Sequence, residues 1–289
     1  MLGLIKKSAR LRSLMWTLRS LLHLQAVSSD ETLHRLRRIA ECTPNHSPGV
    51  FAFPWGLVRY VDAGQLSAQF EEIFIQRQYA FTTDSAEPVI VDCGGNVGLS
   101  AIWFKLNYPS CHLAVYEADP VLVEILTDNL RHGRIAGVTV HGQAVWTADV
   151  TVPFNQTGDD SGSIISAGPT KVSAIDLATR LPLRVDLLKM DIEGAEYSVL
   201  DRLCATGAIA RVQRLVCEFH VSRDQTDAML RTLTALRENG MEVSFHAAPQ
   251  SWLGQADSIS PFEFVGKKHV LMEVFAWRAT CAAWSTPTP

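Results

Sequence analysis

Ionisable and conformationally permissive residues recur in this chain where apolar, strand-like runs end. The run Val89-Ile90-Val91 stops at Asp92, which opens the turn Asp92-Cys93-Gly94-Gly95-Asn96-Val97-Gly98. Gly94 and Gly95 admit backbone conformations that a side chain forbids, and they let a ligand approach the main chain. Gly98 stands where the following helix must pack against its own strand. The turn departs from G-x-G-x-x-G, in which a helix N-terminus carries a pyrophosphate, and an anionic Asp92 at its mouth would repel that group. It suits a ligand with a cationic amino group and no phosphate, such as S-adenosylmethionine (SAM). A second carboxylate, Glu117, ends the run HLAVYE at the spacing of a residue that grips ribose hydroxyls. Gln143, Ala144 and Val145 close the next strand-like run, where an adenine would be recognised. Asp92, Gly94, Gly95, Asn96, Gly98, Glu117 and Ala144 are therefore the candidate cofactor-binding residues. The plainer alternative is an ordinary glycine-rich βα turn with two surface acids.

A second concentration of ionisable groups lies further along. In LLKMDIEGAEYSVL, Leu187, Leu188 and Met190 form an interior strand, yet Lys189 lies within it and Asp191 at its tip. Charges buried there are costly unless paired with each other or with a ligand. Glu193 follows, and Glu196 stands one helical turn beyond. The run VQRLVCEF ends at Glu218 and is followed by His220. Lys189, Asp191, Glu193 and His220 are the candidate catalytic residues. A purely structural reading remains open for Lys189, pairing with Asp191 or Glu218 to hold neighbouring strands, and for His220 as a hydrogen-bonded structural residue.

These residues need a scaffold that brings strand ends to one rim. From residue 88 onward, strand-like and helix-like segments alternate, which indicates a parallel sheet with helices on its faces. Expected strands are Val89–Val91, 112–117, 137–144, 185–190 and 212–219. Helices are expected over 97–107, after Asp119 and Pro120 as cap and first residue, through DIEGAEYSVLDRL, and over Asp224–Asn239 with Gly240 as the stop. The runs 241–246 and 269–277 should pair antiparallel at one sheet edge. In such sheets the ligand lies beyond the carboxyl ends of the strands, where the acids above fall. The polar stretch TVPFNQTGDDSGSIISAGP is an excursion with one or two short strands, placed to cover a substrate. Ahead of the sheet, CTPNHSPGVFAFPWG is a loop, Leu57–Val61 a short strand and FEEIFIQRQYAF a helix. Tyr79 and Phe81 are core residues or a roof over the cofactor. Trp252 and Phe262, in the loop 247–262, could stack on a sugar or an apolar ring, or could anchor the loop.

The chain has 289 residues, with 47% hydrophobic and 19% charged residues and a net charge of −4, the profile of a globular protein with a substantial core. The charge gives no general reason to expect nucleic acid. The six cysteines, Cys42, Cys93, Cys111, Cys204, Cys217 and Cys281, form no C-x-x-C pair and read as reduced core residues of a cytoplasmic protein. Residues 1–40 differ: Lys6, Lys7, Arg10, Arg12, Arg19, Arg35, Arg37 and Arg38 interleave with leucines and meet only Asp30 and Glu31. This is a basic amphipathic helical arm, too interrupted to span a membrane. It could pack on the domain, bind a second copy in a homo-oligomer, or lie on an anionic membrane as a peripheral contact. The expected division is residues 1–56 as arm and linker and 57–289 as the chemical domain.

Two separated stretches, VDCGGNVGLS at 91–100 with Glu117, and LLKMDIEGAEYSVL at 187–200, resemble the FkbM family of SAM-dependent methyltransferases. The resemblance covers roughly residues 57–275. The segment before the second motif also resembles the family, although the usual Leu-Asp-Asp appears as Ile175-Asp176-Leu177. The resemblance implies an α/β class I methyltransferase with a Rossmann-like, mostly parallel sheet bearing an antiparallel edge. It implies methyl transfer to a hydroxyl of a sugar or polyketide-type small molecule or glycan, with SAM on the first motif and Asp191 and Glu193 at the transfer site. For that chemistry, His220 or Asp191 would take the hydroxyl proton. Alternatively a divalent ion such as Mg2+ or Mn2+, with Asp191, Glu218 and His220 as ligands beside Glu193, would acidify the hydroxyl. A dinucleotide-dependent oxidoreductase and a non-catalytic SAM-binding subunit are the rival classes.

Overall fold

The computed structural model describes residues 29–155, 163–164, 168–221, 225–247 and 270–279. Most of the basic arm, Trp252, Phe262 and Cys281 lie outside the described residues. The chain divides into two compact units, one built from residues up to 78 with 97–109 and 125–136, the other from 79–96, 110–124 and the remainder.

In the first unit, α1 (Ser29–Cys42) buries Thr32, Leu33 and Leu36 along one face. β1 (Gly49–Phe53) and β2 (Gly56–Tyr60) pair antiparallel as a hairpin, Gly49 opposite Tyr60. The sequence reading takes residues 42–56 as a loop because prolines and glycines punctuate them. The alternating burial of Phe51, Phe53, Val58 and Tyr60 wins instead, with Pro54 placed in the turn, where it removes no ladder hydrogen bond. The hairpin straddles residue 56, so a boundary there falls inside a two-stranded sheet. The helix expected over 70–81 starts earlier. Asp62 caps it by accepting the Gln65 N–H at 3.0 Å, α2 (Ala63–Phe70) follows, and a π-helical turn at Glu71–Ile75 ends it before Tyr79 and Phe81. The rings of Phe53, Trp55 and Phe74 stack at centroid separations of 4.5 and 4.7 Å. The unit also holds α3 (Leu99–Asn107) and the second half of α4 (Pro120–His132).

The second unit contains the main sheet. Its strands are β3 (Val89–Cys93), β4 (His112–Glu117), β5 (Val138–Gly142), β10 (Leu187–Met190), β11 (Arg214–Val221), β12 (Met241–Ala247) and β13 (Val270–Arg278). Their order is β12-β13-β11-β10-β3-β4-β5. The pairs β5–β4, β4–β3, β3–β10 and β10–β11 are parallel, and β13 runs antiparallel to both β11 and β12. This is the mostly parallel α/β sheet expected from the sequence. The antiparallel strand is β13, one position in from the edge, so β12 at the margin regains the direction of the others. Strand order reverses between β3 and β10, and a ligand is expected beyond the carboxyl ends of those strands. Asp119 accepts the Val121 N–H at 2.8 Å and opens α4, as its sequence indicates.

The single strand expected over 137–144 is divided. After Gly142 the chain leaves the main sheet, and β6 (Ala144–Trp146) joins a second sheet of order β6-β9-β7-β8 with β7 (Val150–Asn155), β8 (Ser163–Ile164) and β9 (Thr170–Asp176). The switch buries successive residues on opposite faces: Ala144 joins Val152, Phe154, Val172 and Ala174, whereas Val145 joins the main core. A short α5 (Leu177–Arg180) follows, capped by Asp176, whose Oδ2 also receives Arg202 at 2.7 Å. The helices α6 (Glu196–Ala205) and α7 (Thr226–Glu238) add Val199, Leu200, Leu203, Leu233 and Leu236 to the core of Leu188, Met190, Leu215, Cys217 and Phe219. Among the described residues no helix is long and apolar enough to cross a membrane.

Candidate active site

The glycine turn after β3 closes on itself. Gly94, Asn96 and Gly98 all have positive φ, +91°, +47° and +92°, so three of five successive residues take the left-handed region. The Gly94 and Gly95 N–H groups both donate to the Tyr116 carbonyl, at 2.9 and 3.0 Å. The Asn96 N–H donates to Glu117 Oε2 at 2.7 Å, and the Asp119 N–H to Glu117 Oε1 at 2.9 Å. These three turn amides are thus committed to β4 and are not directed at a phosphate. A Cβ on Gly94 would lie 1.8 Å from the Asp191 carbonyl oxygen, so the backbones after β3 and β10 touch there. A Cβ on Gly98 would sit 3.2 Å from Leu126 Cγ. Gly98 therefore makes room for α4, not for its own strand as the sequence reading has it.

Asp92 does not face an open mouth. It is wholly buried in β3, and Lys189 is its in-register neighbour on β10. Lys189 Nζ stands 3.4 Å from Asp92 Oδ1 and 3.7 Å from Asp191 Oδ2, and it donates to the Gly94 carbonyl at 2.6 Å. Burial alone would lower the Lys189 ammonium, but the charges of Asp92, Tyr79 and Asp191 carry it above its ordinary value. The expectation that Asp92 meets a ligand's cationic amino group is therefore revised: the chain supplies that cation itself. Lys189 pairs with Asp92 and Asp191. Its place is between the two motifs, where it holds the glycine turn.

Glu117, at the end of β4, is the second buried carboxylate of this turn. Burial raises its carboxyl to about 7 against the opposing pull of the Asp119 and Asn96 N–H groups. Each oxygen holds one backbone donor, which leaves lone pairs for hydroxyls. Ala144 lies in the core of the small sheet, and the adjacent Gln143 reaches Ser173 Oγ at 3.2 Å. Tyr79 is buried, and the Arg214 guanidinium lies over the Phe81 ring at 5.4 Å.

Beyond β10 and β11 the geometry changes. Glu193 has φ +57° and Gly194 φ +98°, a strained turn that aims the Glu193 carboxylate at His220. His220 Nε2 lies 3.1 Å from Glu193 and 3.6 Å from Glu218, and Nδ1 lies 3.3 Å from Glu196. Burial would lower the imidazole, yet its hydrogen bonds and charge contacts with Glu193 and Glu196 push it up to about 12. Both ring nitrogens of His220 thus face carboxylates. Asp191, with 36% of its side chain exposed, is the accessible carboxylate of the group.

Residues 92–243, just over half of the chain, match the family model described as Methyltransferase FkbM domain. The chain belongs to the FkbM methyltransferase family. It is similar to Methyltransferase sdnD of Sordaria araneosa, 27% identical over 184 residues covering 49% of this chain and 71% of that protein. It is also similar to 31-O-demethyl-FK506 methyltransferase FkbM of Streptomyces tacrolimicus, 25% identical over 228 residues covering 64% and 85%. Among solved structures, Methyltransferase FkbM from Methylobacillus flagellatus aligns at TM-score 0.45 and 17% identity over 67% of this chain, but over only 45% of that one.

Within this FkbM chain, the least legible functional residue is Glu196. It is fully buried, and its Oε1 accepts the Ile192 N–H at 3.0 Å and the Gly194 N–H at 3.1 Å. Its position at the start of α6 was the available signal, since a first-turn acid can reach back to orphan amides. Asn129 is a second. It is buried in α4, donates to the Val97 carbonyl at 2.8 Å and pairs with both backbone groups of Arg59, which anchors the exit of the glycine turn.

Proposed function

We propose that this FkbM-family protein transfers the methyl group of SAM to a hydroxyl oxygen of a small natural product or glycan, of sugar or polyketide type. The observation that carries the reading is the junction at Lys189, which holds the Gly94 carbonyl and Asp92 on one side and Asp191 on the other. It sets the cofactor turn beside the charged cluster. The name of the Streptomyces tacrolimicus relative, a 31-O-demethyl-FK506 methyltransferase, supports an oxygen acceptor on a polyketide.

The residues present fit SAM. Glu117 offers buried carboxylate lone pairs to a ribose diol, and the committed amides of Gly94, Gly95 and Asn96 suit a cofactor without phosphate. Bound SAM supplies an electrophilic methyl carbon. An alcohol is a weak nucleophile and needs its proton removed as it attacks, together with alignment on the reacting carbon. Asp191 is placed to accept that proton. His220, between Glu193 and Glu196, engages their carboxylates.

The test is turnover with SAM against a panel of methyl glycosides, aminosugars and macrolide alcohols, with the methylated position assigned by NMR. New O-methyl signals support the reading. SAM binding with transfer to nitrogen alone would overturn the hydroxyl assignment, and SAM binding with no transfer to any acceptor would favour a non-catalytic subunit.

A further inference from the structure

Five ionisable side chains meet beyond the ends of β10 and β11: Asp191, Glu193, Glu196, Glu218 and His220. The imidazole of His220 has carboxylates at both nitrogens, Glu196 at Nδ1 and Glu193 and Glu218 at Nε2. Lys189 lies 3.7 Å from Asp191, but it also answers Asp92 and the Gly94 carbonyl. Carboxylates thus stand on both sides of this one imidazole. Within this group Glu196 is fully buried, and its Oε2 accepts no hydrogen bond although Oε1 takes two N–H groups. A buried carboxylate oxygen without a donor is destabilising by about 1–3 kcal/mol. A cation is the partner that relieves both the bare oxygen and the crowding of carboxylates.

We infer that Asp191, Glu196 and His220 form a binding site for a divalent cation of the Mg2+/Mn2+ class. One ligand atom from each residue lies within 4.8 Å of the others. His220 Nδ1 lies 3.3 Å from the Glu196 carboxylate, close enough for one ion to reach both residues. The cation takes the Nδ1 lone pair, any proton there passing to solvent, and Glu193, 3.1 Å from Nε2, accepts the hydrogen bond of the remaining N–H. A carboxylate behind a ligating histidine fixes the tautomer and leaves the other nitrogen for the metal. Two carboxylates and one imidazole favour Mn2+ over Mg2+, which prefers oxygen alone.

The ligand set differs from the one read in the sequence. Glu196 takes the place of Glu218, which lies on the Nε2 side of His220, away from the nitrogen that Glu196 faces. The role of such an ion, to acidify an acceptor hydroxyl, rests on the proposed methyl transfer. Its binding does not.

The experiment is titration of the full chain, freed of metal by chelator dialysis, with Mn2+ alone, following the free-ion signal by electron paramagnetic resonance. One Mn2+ should bind per chain. Affinity should fall at least tenfold in Glu196→Gln and in Asp191→Asn and stay unchanged in Glu87→Gln, an exposed surface acid. Asp191→Asn alters a half-exposed side chain and keeps the test valid if Glu196→Gln does not fold. No binding by the wild-type chain, or equal loss in Glu87→Gln, would overturn the site. SAM calorimetry on the same preparation separates the two readings. SAM binding without Mn2+ binding removes the cation site and leaves the methyltransferase reading, and Mn2+ binding without SAM binding does the reverse.

Discussion

The ends of β3 and β4 and the ends of β10 and β11 adjoin in one sheet but solve opposite problems. At the first, the turn amides and both Glu117 oxygens are answered from within the chain, Gly94, Gly95 and Asn96 by β4 and Glu117 by backbone amides, while Asp92 Oδ1 faces Lys189 at 3.4 Å. At the second, carboxylates crowd one imidazole, Glu196 at Nδ1 of His220 and Glu193 and Glu218 at Nε2. The contrast separates a seat from a reactive group. A hydrogen-bonded turn suits the proposed cofactor seat, whereas crowded carboxylates retain electrostatic energy that a passing proton or cation can draw on.

The comparison breaks most severely at Gly94. In Gly94→Ala the new Cβ would collide with the Asp191 carbonyl at 1.8 Å from a backbone at φ +91°. A loss of about 4 kcal/mol or more is expected, read as a collapse of the thermal transition. Lys189→Met should follow, because it strands Asp92 as a buried unpaired charge, at a cost of about 3–5 kcal/mol. Adding Asp92→Leu should restore part of that loss, and a double variant no more stable than Lys189→Met would show that the pair is not coupled.

On the reactive side the expected damage is to rate. Asp191→Asn should lower kcat by about 10²–10⁴-fold with the fold intact by circular dichroism, and a fully active variant would remove Asp191 from proton transfer. The smallest effect sharpens the cofactor side. The folded Glu117 carboxyl lies raised, at about 7 from an ordinary 4.5, so the native state binds more protons than the unfolded chain between these values. Its contribution to stability is present below about pH 4.5 and is lost as pH rises towards 7. SAM affinity runs the other way: it should strengthen as pH rises through about 7, when the ionised form accepts ribose hydroxyls. In Glu117→Gln both dependences should flatten, as chemical denaturation and calorimetry across that range would show.

The scaffold was largely legible because its signals are local. β4 falls on residues 112–117 as read, Asp119 and Pro120 open α4, and Gly240 at φ +80° stops α7. What escaped depends on register and on side-chain direction. Lys189 faces Asp92 because β10 pairs with β3 in one register, a fact that spacing along the chain does not contain. β1 was lost beneath its flanking prolines and glycines, and the run 137–144 was cut at Gln143, where the strand changes sheets to bury Ala144 and Val145 on opposite sides. For the site, residue types pointed to one rim, while the partner of each residue followed only from geometry. Asp92 looked like a ligand-facing acid and is an internal counter-ion. Glu196 looked like one more helical acid and is the residue that shapes the Ile192–Gly194 turn.

The most direct measurement is calorimetric titration of SAM into the wild-type chain, Glu117→Gln and Asp191→Asn at pH 8. The account predicts binding by the wild type, at least tenfold weaker binding by Glu117→Gln and affinity within twofold of wild type for Asp191→Asn. No binding by the folded wild-type chain, or a loss in Asp191→Asn as large as that in Glu117→Gln, would contradict the separation of cofactor seat from reactive cluster.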